Sequence, residues 1–130
     1  MASILIISDS HPQNCRMKSL LEEEGFHVQT ACGGLEGVQL IDENYFDLLI
    51  TEILMPQMNG FEIISHIRAT GKTIKIIAMT SGGIIGVDAY LKAVRSFGAD
   101  MVMKIPFRDG HMIRVVRSVL KAYDKDQQSA

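Results

Sequence analysis

The chain has 130 residues, 47% of them hydrophobic and 22% charged, the composition of one ordinary folded domain rather than of a disordered tract. Its formal net charge of −2 excludes bulk electrostatic attraction to nucleic acid or to an anionic membrane as the organising interaction. No apolar run reaches the ~20 residues of a membrane span, and Asp9 interrupts the apolar opening too early for a signal peptide, so a soluble, cytoplasmic protein is expected.

The first expected element is a strand over residues 4–8, a continuous apolar run of the kind buried on both faces. His11-Pro12 opens a helix over 11–24, because proline suits the first helical turn, and Gly25 stops it. Residues 26–31 form a second strand. A weaker helix follows over 33–43, loosened by Gly34 and Gly37. The third strand, 47–52, ends in Glu52 and runs into a turn built on Met55-Pro56 and Asn59-Gly60. Ile63, Ile64 and Ile67 stand at helical spacing in 61–69. A fourth strand over 73–80, a helix over 87–97 and a fifth strand over 101–105 come next. The last helix, 108–123, carries Met112, Val115, Val116, Val119 and Leu120 on one face. This bounds a domain at residues 1–123, followed by a polar, frayed tail over 124–130.

Five βα units imply a doubly wound parallel sheet with helices on both faces. Ligands of such sheets sit beyond the carboxyl ends of the strands. Ser8-Asp9, Glu52, Thr80-Ser81 and Lys104-Ile105 converge on that crevice. Two carboxylates with hydroxyls suit a hard cation and a phosphoryl group; taken singly, each acid is better read as a helix cap or a solvated strand end. His11, His27, His66 and His111 show no metal-ligand spacing and are expected on the surface. Cys15 and Cys32 form no C-x-x-C pair and are expected to be free, structural thiols. Met101 and Met103 are expected as core filler.

These motifs resemble the receiver domain of two-component response regulators over residues 3–122. The features that carry the resemblance are Ile6-Ile7-Ser8-Asp9-Ser10, the acid at 52, Met55-Pro56 with Asn59-Gly60, Thr80-Ser81, Gly98-Ala99-Asp100 and Pro106-Phe107. The resemblance implies a flavodoxin-like fold with strand order 2-1-3-4-5. It implies a phosphoacceptor at position 52, a switch hydroxyl at Thr80, and Mg²⁺ held by Asp9, Glu52 and the Leu54 backbone carbonyl. It also implies a cis bond before Pro106 and a partner surface on helix four, strand five and helix five.

Four departures weigh against the family's chemistry. The phosphoacceptor aspartate is a glutamate, Glu52. Ser8 stands where a second acid is usual. Ile105 replaces the lysine before the proline, with Lys104 one residue early and so on the other face of the strand. Val102 replaces the switch aromatic. Phosphoryl transfer rests on positioning and charge neutralisation, and a misplacement of ~1 Å can cost ~100-fold in rate. Weak Mg²⁺ binding and an elevated Glu52 pKa are therefore expected, the latter from desolvation without a cation and from Asp9.

The expected function is an atypical receiver, a phosphorylation-independent protein-interaction module with no enzymatic activity. Glu52 imitates an aspartyl phosphate incompletely, since the lysine and the aromatic are missing. Its partner would be a kinase, an output protein or a second copy, not nucleic acid and not a membrane. The alternatives are a working phosphoacceptor regulator charged by a histidine kinase, and a flavodoxin-like enzyme or cofactor binder. The absence of a glycine-rich loop after strand one counts against the last. The segment Gly82-Gly83-Ile84-Ile85-Gly86 reads either as a partner contact or as an extra turn packed on the fourth helix.

Overall fold

A computed structural model describes residues 1–81 and 87–129; the segment 82–86, expected as a partner contact or an extra turn, lies outside the described residues. Five strands and five helices alternate: β1 (Ser3–Ile7), α1 (His11–Glu23), β2 (His27–Ala31), α2 (Gly34–Glu43), β3 (Leu48–Glu52), α3 (Gly60–Ala69), β4 (Lys75–Thr80), α4 (Val87–Phe97), β5 (Met101–Lys104) and α5 (Asp109–Ser129). All pairings are parallel, in the order β2-β1-β3-β4-β5. This is the doubly wound, flavodoxin-like sheet expected from the alternation of elements.

The apolar runs become the buried middle of the sheet. Ile4 to Ile7 and Leu48 to Ile50 are fully buried, because β1 and β3 are covered on both faces. Leu5, Ile7 and Leu49 face a core completed by Ile41 of α2, Ile63, Ile64 and Ile67 of α3, and Val94 of α4. Ile4, Ile6 and Ile50 face Met17 and Leu21 of α1 and Met112, Val116 and Val119 of α5. The isoleucine triplet of α3 and the α5 stripe thus bury the faces their spacing predicts. Met103 joins the core and Met101 packs against it.

Several local features differ from the sequence expectation. Gly34 and Gly37, read as weak points of α2, are sites of close approach. A Cβ on Gly37 would lie 2.3 Å from Ile7 Cδ1, and one on Gly34 would lie 2.7 Å from Met58. The two glycines let α2 sit directly on β1 and on the β3–α3 loop, and that packing offsets their low helix propensity. Helix α5 continues to Ser129, past the end expected at Tyr123. Cys15 and Cys32 are free but exposed, not buried.

Two clusters tie the ends of the fold. Arg68 of α3 donates to the carbonyls of Lys72, Ile74 and Gly98 and pairs with Asp100 at 3.4 Å. It thereby binds together the loops entering β4 and β5. On the other face, Arg16 of α1 pairs with Asp109 and lies over Phe107, and Arg117 of α5 pairs with Glu24 and lies over Phe26. Each guanidinium stacks on an aromatic of the opposite helix's end, which fixes how α1 and α5 lie together.

Candidate functional site

The crevice at the carboxyl ends of β1, β3 and β4 is built from the turns that follow them. Ser10 caps α1, accepting from the Gln13 backbone N–H at 3.3 Å, with Pro12 in the first turn. Asn14, buried behind that turn, donates from Nδ2 to the carbonyls of Ser8 at 3.0 Å and Ala31 at 3.2 Å. The ends of β1 and β2 are thereby clamped to the start of α1.

The opposite wall is the β3–α3 loop. Asn59 and Glu62 form a capping box, each side chain bonded to the other's backbone. Gly60 is required there: a Cβ would lie 2.6 Å from the Glu52 carbonyl oxygen and 2.8 Å from Ile53 Cα. The Gly60 N–H donates to the Ile53 carbonyl at 2.8 Å. Gln57 holds the loop's turn at a φ of 67°. The Asn-Gly pair therefore starts α3 directly against the backbone that presents Glu52.

Glu52 is half-buried, and its carboxylate turns towards β1 and α1. Its Oε1 accepts from Ser8 Oγ at 3.0 Å and from Gln13 Nε2 at 2.7 Å. Ser8 is fully buried and its Oγ also accepts the Ser10 backbone N–H at 3.1 Å. A three-residue network results, with neutral donors where an ion pair would otherwise neutralise the acid. Burial raises the Glu52 pKa above its ordinary value of 4.5, the Ser8 and Gln13 hydrogen bonds oppose the rise, and the Asp9 charge and hydrogen bond add to it. The direction and the role of Asp9 match the expectation for a buried acid without a cation. Among the described residues no ion pair reaches Glu52.

The other expected site residues fall as follows. Asp9 is exposed at the end of β1, close enough to Glu52 to act on it. Thr80 is buried at the end of β4, one residue beyond the Met79 that pairs with Glu52. Its carbonyl accepts the Ile105 N–H at 3.0 Å. Ile105 is half-buried and packs on the apolar core under α1 and α5, and the Ile105–Pro106 bond is cis, as expected. Lys104 is exposed and lines a recess with Phe107 and Arg114, and among the described residues it is not paired with Glu52. Val102 packs on the core cluster of the opposite face. Leu54 is 45% exposed on the loop after Glu52.

Gln13 was not anticipated. The available signal was its place in the first turn of α1, which faces the crevice, beside a serine cap. These donors bear on whether Mg²⁺ fits. An amide –NH₂ and a hydroxyl hydrogen both aim at Glu52 Oε1, one of the two oxygens a cation could use, and an amide nitrogen has no acceptor capacity. Asp9 and Glu52 are the two carboxylates at hand, and among the described residues no group of three or more His, Cys, Asp and Glu comes together to hold a metal. The set suits a hydrogen-bonded carboxyl group rather than a tightly held dication.

An acid ending the central strand, an acidic turn after β1 and a hydroxyl ending β4 are the layout of a flavodoxin-like signalling domain. The family model of the response regulator receiver domain matches residues 4–117, and the chain belongs to that family. Transcriptional regulatory protein CpxR of Escherichia coli (strain K12) is 30% identical over 126 residues, covering 93% of this chain and 50% of the relative. The chain thus spans about half the length of the curated relatives it matches. Among solved structures, a response regulator receiver domain protein from Clostridium thermocellum superposes with a TM-score of 0.86 at 25% identity, covering 95% of this chain and 98% of that one. Chemotaxis protein CheY4 of Vibrio cholerae gives 0.83 at 25% identity, over 92% and 98%. Among the described residues no helix is long and apolar enough to cross a membrane.

Proposed function

We propose that this receiver domain works without phosphorylation, as a protein-interaction module in two-component signalling, and that it has lost the family's phosphotransfer activity. The observation that carries the reading is the engagement of Glu52 Oε1 by Ser8 and Gln13. One of the two Glu52 oxygens is held by two neutral donors, and the group carries a raised pKa. A more protonated, hydrogen-bonded carboxyl is a poorer nucleophile. Lys104 lines a recess beside β5 and is unpaired with Glu52 among the described residues, and Ile105 packs on the core, so neither neutralises phosphoryl oxygens there. Mg²⁺ binding is correspondingly weak. The domain acts in the cytoplasm, and its partner is a kinase, an output protein or a second copy, met on the α4–β5–α5 side. Because its conformation needs no kinase, control comes from partner binding or expression.

The test is incubation with acetyl phosphate and Mg²⁺, read by intact mass. No stable phosphoryl adduct is expected, and Glu52→Asp alone restores little, since Ser8 and Ile105 remain. A one-phosphoryl mass increase mapped to Glu52 would return the chain to the working phosphoacceptors.

A further inference from the structure

We propose that the recess at the amino-terminal pole of the sheet, between the end of α2 and the loop from α3 to β4, binds a small organic ammonium ion with an apolar body. The recess has a volume of about 420 Å³, within the roughly 300–1,000 Å³ usual for small-ligand sites. Its floor includes Phe46 and Ile74, which are 3% and 7% exposed and belong to the core under α2 and α3. Asp42, Glu43 and Tyr45 line it from the α2 side, and Lys72 from the α3–β4 loop. The recess lies at the opposite end of the sheet from Glu52, and the inference stands whether or not Glu52 takes a phosphoryl group.

Three observations carry the proposal. The first is a fixed aromatic wall. Tyr45 is 70% exposed, yet its hydroxyl donates to Asp47 Oδ1 at 3.0 Å, and Asp47 Oδ2 accepts the Ser3 N–H at 2.8 Å. A large ring is thereby tied down at the surface, where its face can hold a cation. The second is charge. Asp42 and Glu43 stand at the end of α2, where the helix dipole places partial negative charge. Asp42 Oδ1 bonds to His66 Nε2 at 2.9 Å and Glu43 Oε1 accepts from Gln39 Nε2 at 3.4 Å; each carboxylate has a second oxygen. The third is Lys72, whose Nζ donates to the Ile41 carbonyl. An ammonium is thus the group this helix end already takes from the chain itself, and one ammonium against two carboxylates leaves the recess negative.

The chemistry selects the occupant. An anion would meet two carboxylates and the negative end of a helix. A bare metal ion would leave Phe46 and Ile74 uncovered, and among the described residues no group of three or more His, Cys, Asp and Glu comes together to hold one. A neutral apolar molecule gains nothing from the carboxylates. An ammonium on a short chain from an aromatic body matches both parts, its charge at the rim by Asp42 and Glu43 and its ring over Phe46 and Ile74 beside Tyr45.

The test titrates the whole chain, isotopically labelled, with phenethylamine at neutral pH, where the probe is an ammonium ion, and follows amide shifts by NMR. Saturable shifts are expected in residues 42–46 and 71–74. Three relatives of the probe dissect it: 2-phenylethanol lacks the charge, ethylamine lacks the ring and phenylacetate reverses the charge. The first two are expected to bind about tenfold more weakly and the third not at all. Asp42→Asn with Glu43→Gln should weaken phenethylamine about tenfold, and Tyr45→Leu several-fold. Circular dichroism checks both variants for fold; if one fails, the other serves, and the probe series on the unaltered chain decides in either case. Equal binding of 2-phenylethanol or phenylacetate, shifts that rise without saturating, shifts centred elsewhere, or folded variants of unchanged affinity overturn the proposal. Tighter binding of a short lysine peptide than of phenethylamine also overturns it, since the recess would then belong to a protein partner.

Discussion

The two ends of the sheet hold their acids in opposite ways. At the amino end, Asp100 accepts the Ile76 N–H at 2.8 Å and lies 3.4 Å from Arg68 and 3.8 Å from Lys75. At the carboxyl end, Glu52 accepts from Ser8 and Gln13, and among the described residues no cation reaches it. Glu52 is half-buried at the carboxyl end of the central strand, and Asp100 is exposed at the amino end of β5. The molecule therefore commits cations to holding loops at the pole away from the crevice and neutral dipoles to the crevice itself. An acid compensated by charge stays ionised; one compensated by dipoles against desolvation gains a proton more readily. The contrast lies in the electrostatics of the two ends, within one intact fold.

The largest expected effect concerns how the crevice is positioned. Its wall depends on backbone approach at Gly60, where any side chain meets the Glu52 carbonyl at 2.6 Å. Gly60→Val should cost about 3 kcal/mol, the upper end for overpacking, because both obstructing atoms are backbone. Chemical denaturation measures it. A loss below about 1 kcal/mol would mean the β3–α3 loop relaxes easily, and the close-approach account would fail.

Arg68→Ala tests the other pole. It removes donors from three carbonyls and one of the two cations beside Asp100. Arg68 is partly open to water, so solvent recovers part of the loss, and about 2 kcal/mol is expected. Added salt should weaken the wild type relative to this variant. A salt-independent difference would show that the arginine works through packing alone, which removes half of the comparison.

Much of the fold is legible in the sequence, the contrast between the two poles is not, and what escapes the sequence shares a cause. The five βα units, the α3 and α5 faces and the cis bond before Pro106 follow from period, turn residues and resemblance, whereas Lys104 and Ile105, expected at the crevice, line a recess beside β5 and pack on the core. What could not be read were side-chain directions across elements. Gln13 is ordinary in a helix's first turn until β3 is placed beside it. Asn14 gave a better signal, since it stands on the Met17–Leu21 stripe where an apolar residue belongs. Gly37 reads as a weak helix position because its neighbour, Ile7, is distant in sequence. The length of α5 was underestimated because its last residues are polar, a pattern that equally suits a solvated helix.

Gln13→Ala has a smaller expected effect. It removes one of the two donors on Glu52 Oε1 and should cost about 1 kcal/mol at neutral pH. With that opposing influence gone, the Glu52 pKa should rise further, readable by carboxyl-carbon NMR titration. An unchanged or lowered value would mean the Gln13 bond does not stabilise the carboxylate.

The smallest change should come from Glu52→Gln, and its sign is diagnostic. The folded pKa of Glu52 lies above 4.5, its value in the unfolded chain. The folded state therefore holds this proton more tightly. The associated stabilisation is complete below pH 4.5 and is lost as pH rises through the folded pKa. Above that range the ionised carboxylate is a net liability, although water screens a site that is only half-buried. Glutamine keeps the shape and presents no charge to Asp9. Its amide oxygen can still accept from Ser8 and Gln13. Glu52→Gln should then stabilise the domain at pH 7, by no more than about 1 kcal/mol given the exposure. It should also flatten the decline of stability through the weakly acid range. Denaturation series of both proteins across that range decide the matter. If Glu52→Gln is the less stable at neutral pH, the carboxylate is compensated after all, as Asp100 is, and a cation must reach it.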